Sequence, residues 1–254
     1  MKRFGLIGHP VAGSFSPRLF EAAYDGRYPY DLLEGADFGA SWQRFLDHYD
    51  GINITAPFKQ DAFRAVDVLS YDARRCGAVN LAVKTPAGIV GYNTDVDGVV
   101  LAVREAFGLP VLDEPANSAE RVPLADALVV GCGGAGRAAA VAALRLGCHV
   151  TLVNRTPARA AALASELGCS WTPIGNLPAL SPDLVIYTVP GPMEGLPAFP
   201  DAVILEANYR TPCLEGQGRV YVSGLRWLLY QAVAGYSIFT GETPDTDAMF
   251  RIFC

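Results

Sequence analysis

The sequence predicts an α/β protein with a mainly parallel sheet. Three observations carry this reading. Strand-like and helix-like segments alternate along most of the 254 residues. A glycine-rich turn at 131–136 follows a short apolar run and opens an alanine-rich helical stretch. Residues 110–123, PVLDEPANSAERVP, interrupt the alternation with three prolines and no apolar period. They read as a surface loop near a domain boundary.

The elements follow in order. Arg3 to Gly8 reads as a strand. A helix starts near Pro17, with Ser16 as N-cap and Pro17 at its first position. Tyr30 to Leu33 is a second strand, and Trp42, Phe45, Leu46 and Tyr49 have helical spacing. Ile52 to Ala56 is a third strand, followed by a helix carrying Phe63 and Val66. Ala78 to Lys84 and Ile89 to Tyr92 flank Pro86-Ala87-Gly88 and read as a hairpin. Val96 to Phe107 reads as a helix, and Ala127 to Val130 as the strand before the glycine turn. His149 to Val153 is the next strand, and Thr156-Pro157 caps and opens a further helix. Leu184 to Val189, Val203 to Ala207 and Val220 to Val222 are strands, and the chain is helical from Gly224 through Tyr236.

Composition narrows the function classes. The net charge of -6 excludes a general nucleic-acid binder, which needs a basic footprint. Apolar residues make up 51% of the chain and charged residues 18%, so a full core is expected and long disordered tails are not. No apolar run is long enough for a membrane span. The start MKRFGLIGHPV lacks the apolar core of a signal peptide. The histidines His9, His48 and His149 and six scattered cysteines show no metal-ligand spacing, so no metal is expected. A soluble, cytoplasmic protein follows.

Gly131, Gly133 and Gly136 satisfy GxGxxG between a strand and a helix. The first permits the turn, the second lets the backbone approach a pyrophosphate, and the third allows close helix packing. The helix N-terminus offers N–H groups and a positive dipole end to phosphates. The next strand ends in Asn154-Arg155-Thr156, where an NAD site places an acid for the ribose 2′-hydroxyl. Here Arg155 can face a 2′-phosphate, with Arg159 one helical turn on, and NADP is the expected cofactor.

In the first part of the chain, the hydroxyls of Ser14 and Ser16 stand at a helix start, where they can cap or meet a carboxylate. Asn53 and Thr55 alternate with Ile52 and Ile54, and so share one strand face. Lys59 follows at the carboxyl end of that strand, where ligands bind in open α/β sheets. It is one of only three lysines, with Lys2 and Lys84, among 20 basic residues. An ammonium can exchange a proton near neutral pH if tuned, and a guanidinium cannot. Asn80 opens the hairpin and Asn93-Thr94-Asp95 closes it; Asp95 can cap the next helix or pair with Lys59.

Eight blocks in order, VAGSFSP, NITAPFK, GAVN, NTD, GCGGAGRA, NRT, NYRTP and GLRWLLYQA, span nearly the whole chain. Together they resemble the shikimate dehydrogenases of the shikimate/quinate dehydrogenase family. The resemblance implies NADPH-linked reduction of 3-dehydroshikimate to shikimate, in aromatic amino-acid biosynthesis. It implies Lys59 and Asp95 as the catalytic pair, and Ser14, Ser16, Thr55, Asn80, Tyr209 and Gln231 as substrate ligands. It assigns the cofactor to Gly131, Gly133, Gly134, Ala135 and Gly136, to Asn154, Arg155, Thr156 and Arg159, and to Thr188 and Gly224. Three positions depart from the family pattern. Tyr187-Thr188-Val189 stands where Asn-Ala-Thr or Asn-Cys-Thr is frequent, Arg226-Trp227 where Gly and Met are frequent, and Glu206 where Asp is usual.

The expected organisation is an N-terminal α/β substrate domain, 1–96 with 225–254, and a Rossmann-type NADP-binding domain, 97–224, with the active site in the interdomain cleft. The partners expected are shikimate or 3-dehydroshikimate, with no nucleic acid or membrane, in a monomer or homodimer. Two other functions fit the sequence. One is a quinate/shikimate dehydrogenase of broader specificity; the other is a non-catalytic NADP or shikimate sensor.

Overall fold

The computed structural model describes residues 1–111 and 122–253. Residues 112–121 of the loop expected at 110–123, and Cys254, lie outside the described residues. The chain divides into two compact units, Met1–Thr94 with Gln231–Cys254, and Asp95–Tyr230.

The first unit runs β1 (Phe4–Gly8), α1 (Ser16–Tyr24), β2 (Tyr30–Glu34), α2 (Phe38–His48), β3 (Gly51–Ile54), α3 (Lys59–Ala65), β4 (Val68–Leu69), α4 (Tyr71–Cys76), β5 (Leu81–Thr85) and β6 (Gly88–Tyr92). Its six-stranded sheet has the order β2-β1-β3-β5-β6-β4. β1 pairs in parallel with β2 and β3. β5 is antiparallel to both β3 and β6, so this sheet joins the expected hairpin to strands that otherwise pair in parallel. The reason is local: Pro86-Ala87 joins Thr85 to its partner Gly88, and so short a turn can connect only antiparallel strands. β4 and α4 are additions to the elements expected from sequence, because two and six residues are too few to show a period.

Both faces of this sheet are covered. On one, Ile7, Leu33, Ile52 and Ile54 form a core with Trp42, Phe45 and Phe58. On the other, Phe4 stacks on Phe239 at 4.8 Å, and Phe20 meets Tyr236 edge-on at 4.7 Å. Phe239 and Tyr236 belong to the C-terminal stretch, which therefore completes the unit's core.

The second unit runs α5 (Asp95–Ala106), β7 (Asp126–Val130), α6 (Gly134–Arg145), β8 (His149–Val153), α7 (Pro157–Leu167), β9 (Ser170–Trp171), a 3₁₀ turn (Ile174–Ala179), β10 (Leu184–Tyr187), β11 (Val203–Glu206) and β12 (Val220–Ser223). α8 (Gly224–Thr240) follows, and α9 (Thr246–Phe250) closes the chain with a last 3₁₀ turn, Arg251–Phe253. The sheet is parallel throughout, in the order β12-β11-β10-β7-β8-β9. This is the doubly wound order of dinucleotide-binding folds, with the strand order reversing beside β7. Every residue of β10 and β11 is buried, as strands covered on both faces require.

Candidate active site

The glycine turn is built as its spacing predicts. Gly131 has φ +101°, a region that favours glycine, and a Cβ there would press on the Thr188 hydroxyl. A Cβ on Gly136 would run into the Gly131 carbonyl, so α6 can start this close only with glycine at that position. Gly133 is the N-cap of α6, and a Cβ on it or on Gly134 would meet nothing within 4 Å. The turn thus presents backbone N–H groups and a helix N-terminus to open space, which suits a pyrophosphate. Thr188 closes the base of the turn by donating to the Val130 carbonyl at 2.8 Å. Asn154 accepts from the Cys132 N–H at 3.3 Å and donates to the Thr156 carbonyl at 3.0 Å, so it joins the turn to the end of β8.

A cavity of about 610 Å³ lies beside that strand end and is lined by Asn154, Arg155, Thr156, Arg159 and residues 189–195. It gathers four of the predicted cofactor residues; the glycines, Thr188 and Gly224 are not among its lining residues. Arg155 and Arg159 are exposed, and two guanidinium groups on one cavity suit a phosphate. Tyr187, outside the lining, holds the lining residue Gly191 by donating its hydroxyl to the Gly191 carbonyl at 2.5 Å. Burial, with Cys213 nearby, pushes that phenol up to about 12, so it stays a donor. Thr156 is the N-cap of α7 as expected, though its side chain makes no capping bond.

The first unit carries Ser14, Ser16, Thr55, Lys59, Asn80 and Gln231. Ser16 is not the N-cap of α1 but its first residue; Phe15 holds the cap position. The hydroxyl that satisfies the helix start is that of Ser14, which accepts the Ser16 N–H at 3.2 Å and donates to the Ser16 hydroxyl at 3.0 Å. Thr55 lies one residue past the end of β3, and Lys59 is the first residue of α3. The Lys59 carbonyl accepts from the Val79 N–H at 2.9 Å, which ties the lysine to the Gly77–Asn80 loop. Asn80 is buried, and Thr94 fixes both ends of its amide, at 3.1 Å to Nδ2 and 2.8 Å to Oδ1. Gln231 lies half-buried on α8.

Asp95 is the first residue of α5. Its carbonyl accepts from the Trp227 indole N–H at 2.9 Å, and Arg226 pairs with Glu105 on the same helix at 3.2 Å. The two departures at the start of α8 therefore brace α5. Gly224 begins α8 where a Cβ would strike the Glu206 and Ala207 carbonyls, so its role in the fold is close approach.

Glu206 is fully buried at the end of β11. Its carboxylate accepts from the Cys213 N–H at 2.8 Å, the Leu214 N–H at 3.0 Å, the Tyr221 hydroxyl at 3.2 Å and the Cys213 thiol at 3.3 Å. The loop between carries Tyr209, and the Asn208 side chain holds it in a turn by donating to the Thr211 carbonyl at 2.8 Å. In the sequence Glu206 stands out only as a departure; nothing local shows that four donors converge on it. Burial and the Glu206 contact push the Cys213 thiol up to about 11, keeping it protonated.

Among the described residues no group of three His, Cys, Asp or Glu could hold a metal ion, and no helix is long and apolar enough to cross a membrane. Residues 6–82 match the family model for the shikimate dehydrogenase substrate-binding domain. The shikimate dehydrogenase (NADP(+)) of Acidiphilium cryptum is 37% identical over 97% of this chain and 94% of its own length. The chain belongs to the shikimate dehydrogenase family. Among family structures, shikimate 5-dehydrogenase from Thermus thermophilus, solved with NADP(H) and shikimate, superposes with a TM-score of 0.82 at 30% identity, covering 99% of this chain and 98% of that one. Quinate dehydrogenase from Corynebacterium glutamicum, solved with NAD, superposes with a TM-score of 0.84 at 25% identity over 99% and 98% of the two chains.

Proposed function

We propose that this chain is an NADP-dependent shikimate dehydrogenase, interconverting 3-dehydroshikimate and shikimate. The observation that carries the cofactor choice is the pair Arg155 and Arg159 on one cavity at the end of β8, with no acid in the adjoining Asn154-Arg155-Thr156. The unit Asp95–Tyr230, with its doubly wound sheet, takes the cofactor, and the unit of Met1–Thr94 with Gln231–Cys254 takes the substrate.

When bound, the cofactor supplies a hydride to the C3 carbonyl carbon. Lys59 donates the proton that the carbonyl oxygen then requires, and its ammonium stabilises the developing alkoxide. Asp95 is the second member of the catalytic pair. Ser14 and Ser16 hold the substrate carboxylate, and Thr55, Asn80, Tyr209 and Gln231 take its remaining polar groups. In the same reading the protein acts in the cytoplasm, as a monomer or homodimer, without nucleic-acid or membrane partners.

The test is a matrix of shikimate or quinate with NADP or NAD, read by absorbance of the reduced cofactor. Fast turnover is expected only with shikimate and NADP. Fast turnover with quinate and NAD would establish the broader dehydrogenase instead, and tight binding of both ligands without turnover would establish a sensor. Arg155→Ala is expected to raise KM for NADP about 10–100-fold, the worth of one charge-assisted contact, with KM for NAD little changed. Equal effects on both cofactors would remove Arg155 from the 2′-phosphate.

A further inference from the structure

Two tyrosines in the first unit are placed in a way that packing alone does not require. Tyr30 opens β2 and Tyr236 lies on α8, and both rings sit against Phe20, at 4.8 and 4.7 Å. Phenylalanine would fill the same aromatic space. A hydroxyl taken from water costs free energy unless it finds partners, so its partners indicate its role. Tyr236 donates to the Ser16 carbonyl at 3.0 Å. Tyr30 donates to Asn53 Oδ1 at 2.8 Å, and its ring lies 6.1 Å from that of Tyr236.

Ser16 is consequently held at every polar group. Its N–H goes to Ser14, its carbonyl takes Tyr236, and its hydroxyl meets Ser14. A second line of bonds starts at Tyr30 and Asn53. Asn53 Nδ2 reaches the Asn80 carbonyl at 3.4 Å, and the Asn80 amide is held by Thr94.

We infer that Tyr236 is a positioning residue for the substrate carboxylate, its hydroxyl fixing the Ser16 backbone, and with it the serine pair, in the pose that receives it. This rests on the assignment of Ser16 to the carboxylate given above. A serine hydroxyl that must otherwise be oriented on binding loses rotamer freedom at that moment; one already oriented does not. The Tyr236 hydroxyl therefore acts on KM for shikimate, and only weakly on the proton or hydride step. Burial holds both phenols well above their ordinary range, so they remain hydroxyl donors through neutral pH.

The test uses Tyr236→Phe, alone and combined with Ser16→Ala, in the full chain. Tyr236→Phe is expected to raise KM for shikimate about fivefold, the net worth of one hydrogen bond, with kcat changed less than about twofold and KM for NADP unchanged. In the Ser16→Ala background, Tyr236→Phe is expected to add almost nothing, because the hydroxyl it positions is already gone. A Tyr236→Phe variant with parental KM, or with the same KM increase in both backgrounds, would overturn the inference while Ser16→Ala alone still raises KM. If Ser16→Ala itself leaves KM unchanged, the carboxylate assignment falls, and the inference with it. A fall in melting temperature with kinetics otherwise parental would mark the hydroxyl as purely structural and also overturn it.

Discussion

Replacing Lys59 with alanine is expected to lower kcat for shikimate oxidation by about 10²–10⁴-fold, the span removed with a positioned proton-transfer group. Shikimate binding changes little, because the serine pair and Asn80 remain. Lys59→Arg separates charge from proton transfer. It keeps a cation at the head of α3, but a guanidinium holds its proton throughout the working pH range. Its kcat is therefore expected to fall nearly as far as that of Lys59→Ala. The readouts are initial rates at saturating shikimate and NADP, with shikimate binding by calorimetry. A Lys59→Ala enzyme with parental kcat would end the catalytic assignment, and a Lys59→Arg enzyme with parental kcat would reduce the lysine to a charge.

Glu206→Ala carries the largest expected cost in stability. The substitution leaves the N–H groups of Cys213 and Leu214 and the Tyr221 hydroxyl without their acceptor in a site shielded from water. Breaking a buried set of charge-assisted bonds from one side costs about 3–5 kcal/mol. In a chain of this size that lowers the melting temperature by on the order of 10 °C. Glu206→Gln keeps one carbonyl oxygen but turns an amide NH₂ toward donors, so an intermediate loss is expected. Thermal unfolding followed by circular dichroism reads both variants. A Glu206→Ala protein that melts with the parent would show that the loop bearing Tyr209 is held by something else.

The parts of the site that short-range chemistry dictates are legible in the sequence. Gly136 is forced by the Gly131 carbonyl five residues earlier and Gly131 by its own φ of +101°, so their spacing announces the turn, while the press of Thr188 and Val189 on Gly131 comes from far along the chain. Lys59 is proposed from the sequence because it follows the end of a strand, a place that topology makes functional, and the structure sets it at the head of α3. Ser16 reads as a cap but is not one, because Ser14, two residues earlier, supplies the hydroxyl instead, and Pro17 is equally content one position further into the helix. The direction of β5 and β6 is legible because the two-residue turn between them declares it, whereas the antiparallel pairing of β5 with β3 is not, since single strands do not declare their direction. Tyr30, Tyr236 and Glu206 are not legible as organisers. The tyrosines' partners stand at separations such as 23 and 220 residues, where only the folded chain brings a hydroxyl to its acceptor. Periodicity marks such tyrosines as core, and says nothing of the oxygen each carries.

The return of residues 231–254 to the first unit sets an order of assembly during synthesis. Phe4 and Phe20 leave the ribosome early, but their covering rings, Tyr236 and Phe239, are made only after the whole of 95–230. At translation speeds of about 5–20 residues per second, the aromatic face of the first sheet waits on the order of ten seconds for its cover. The Asp95–Tyr230 unit is contiguous and can fold as it emerges, while Ser16 receives its Tyr236 bond only after that whole unit has been made. A ribosome stalled before codon 231 would carry the doubly wound unit complete and the first unit without its last aromatic cover.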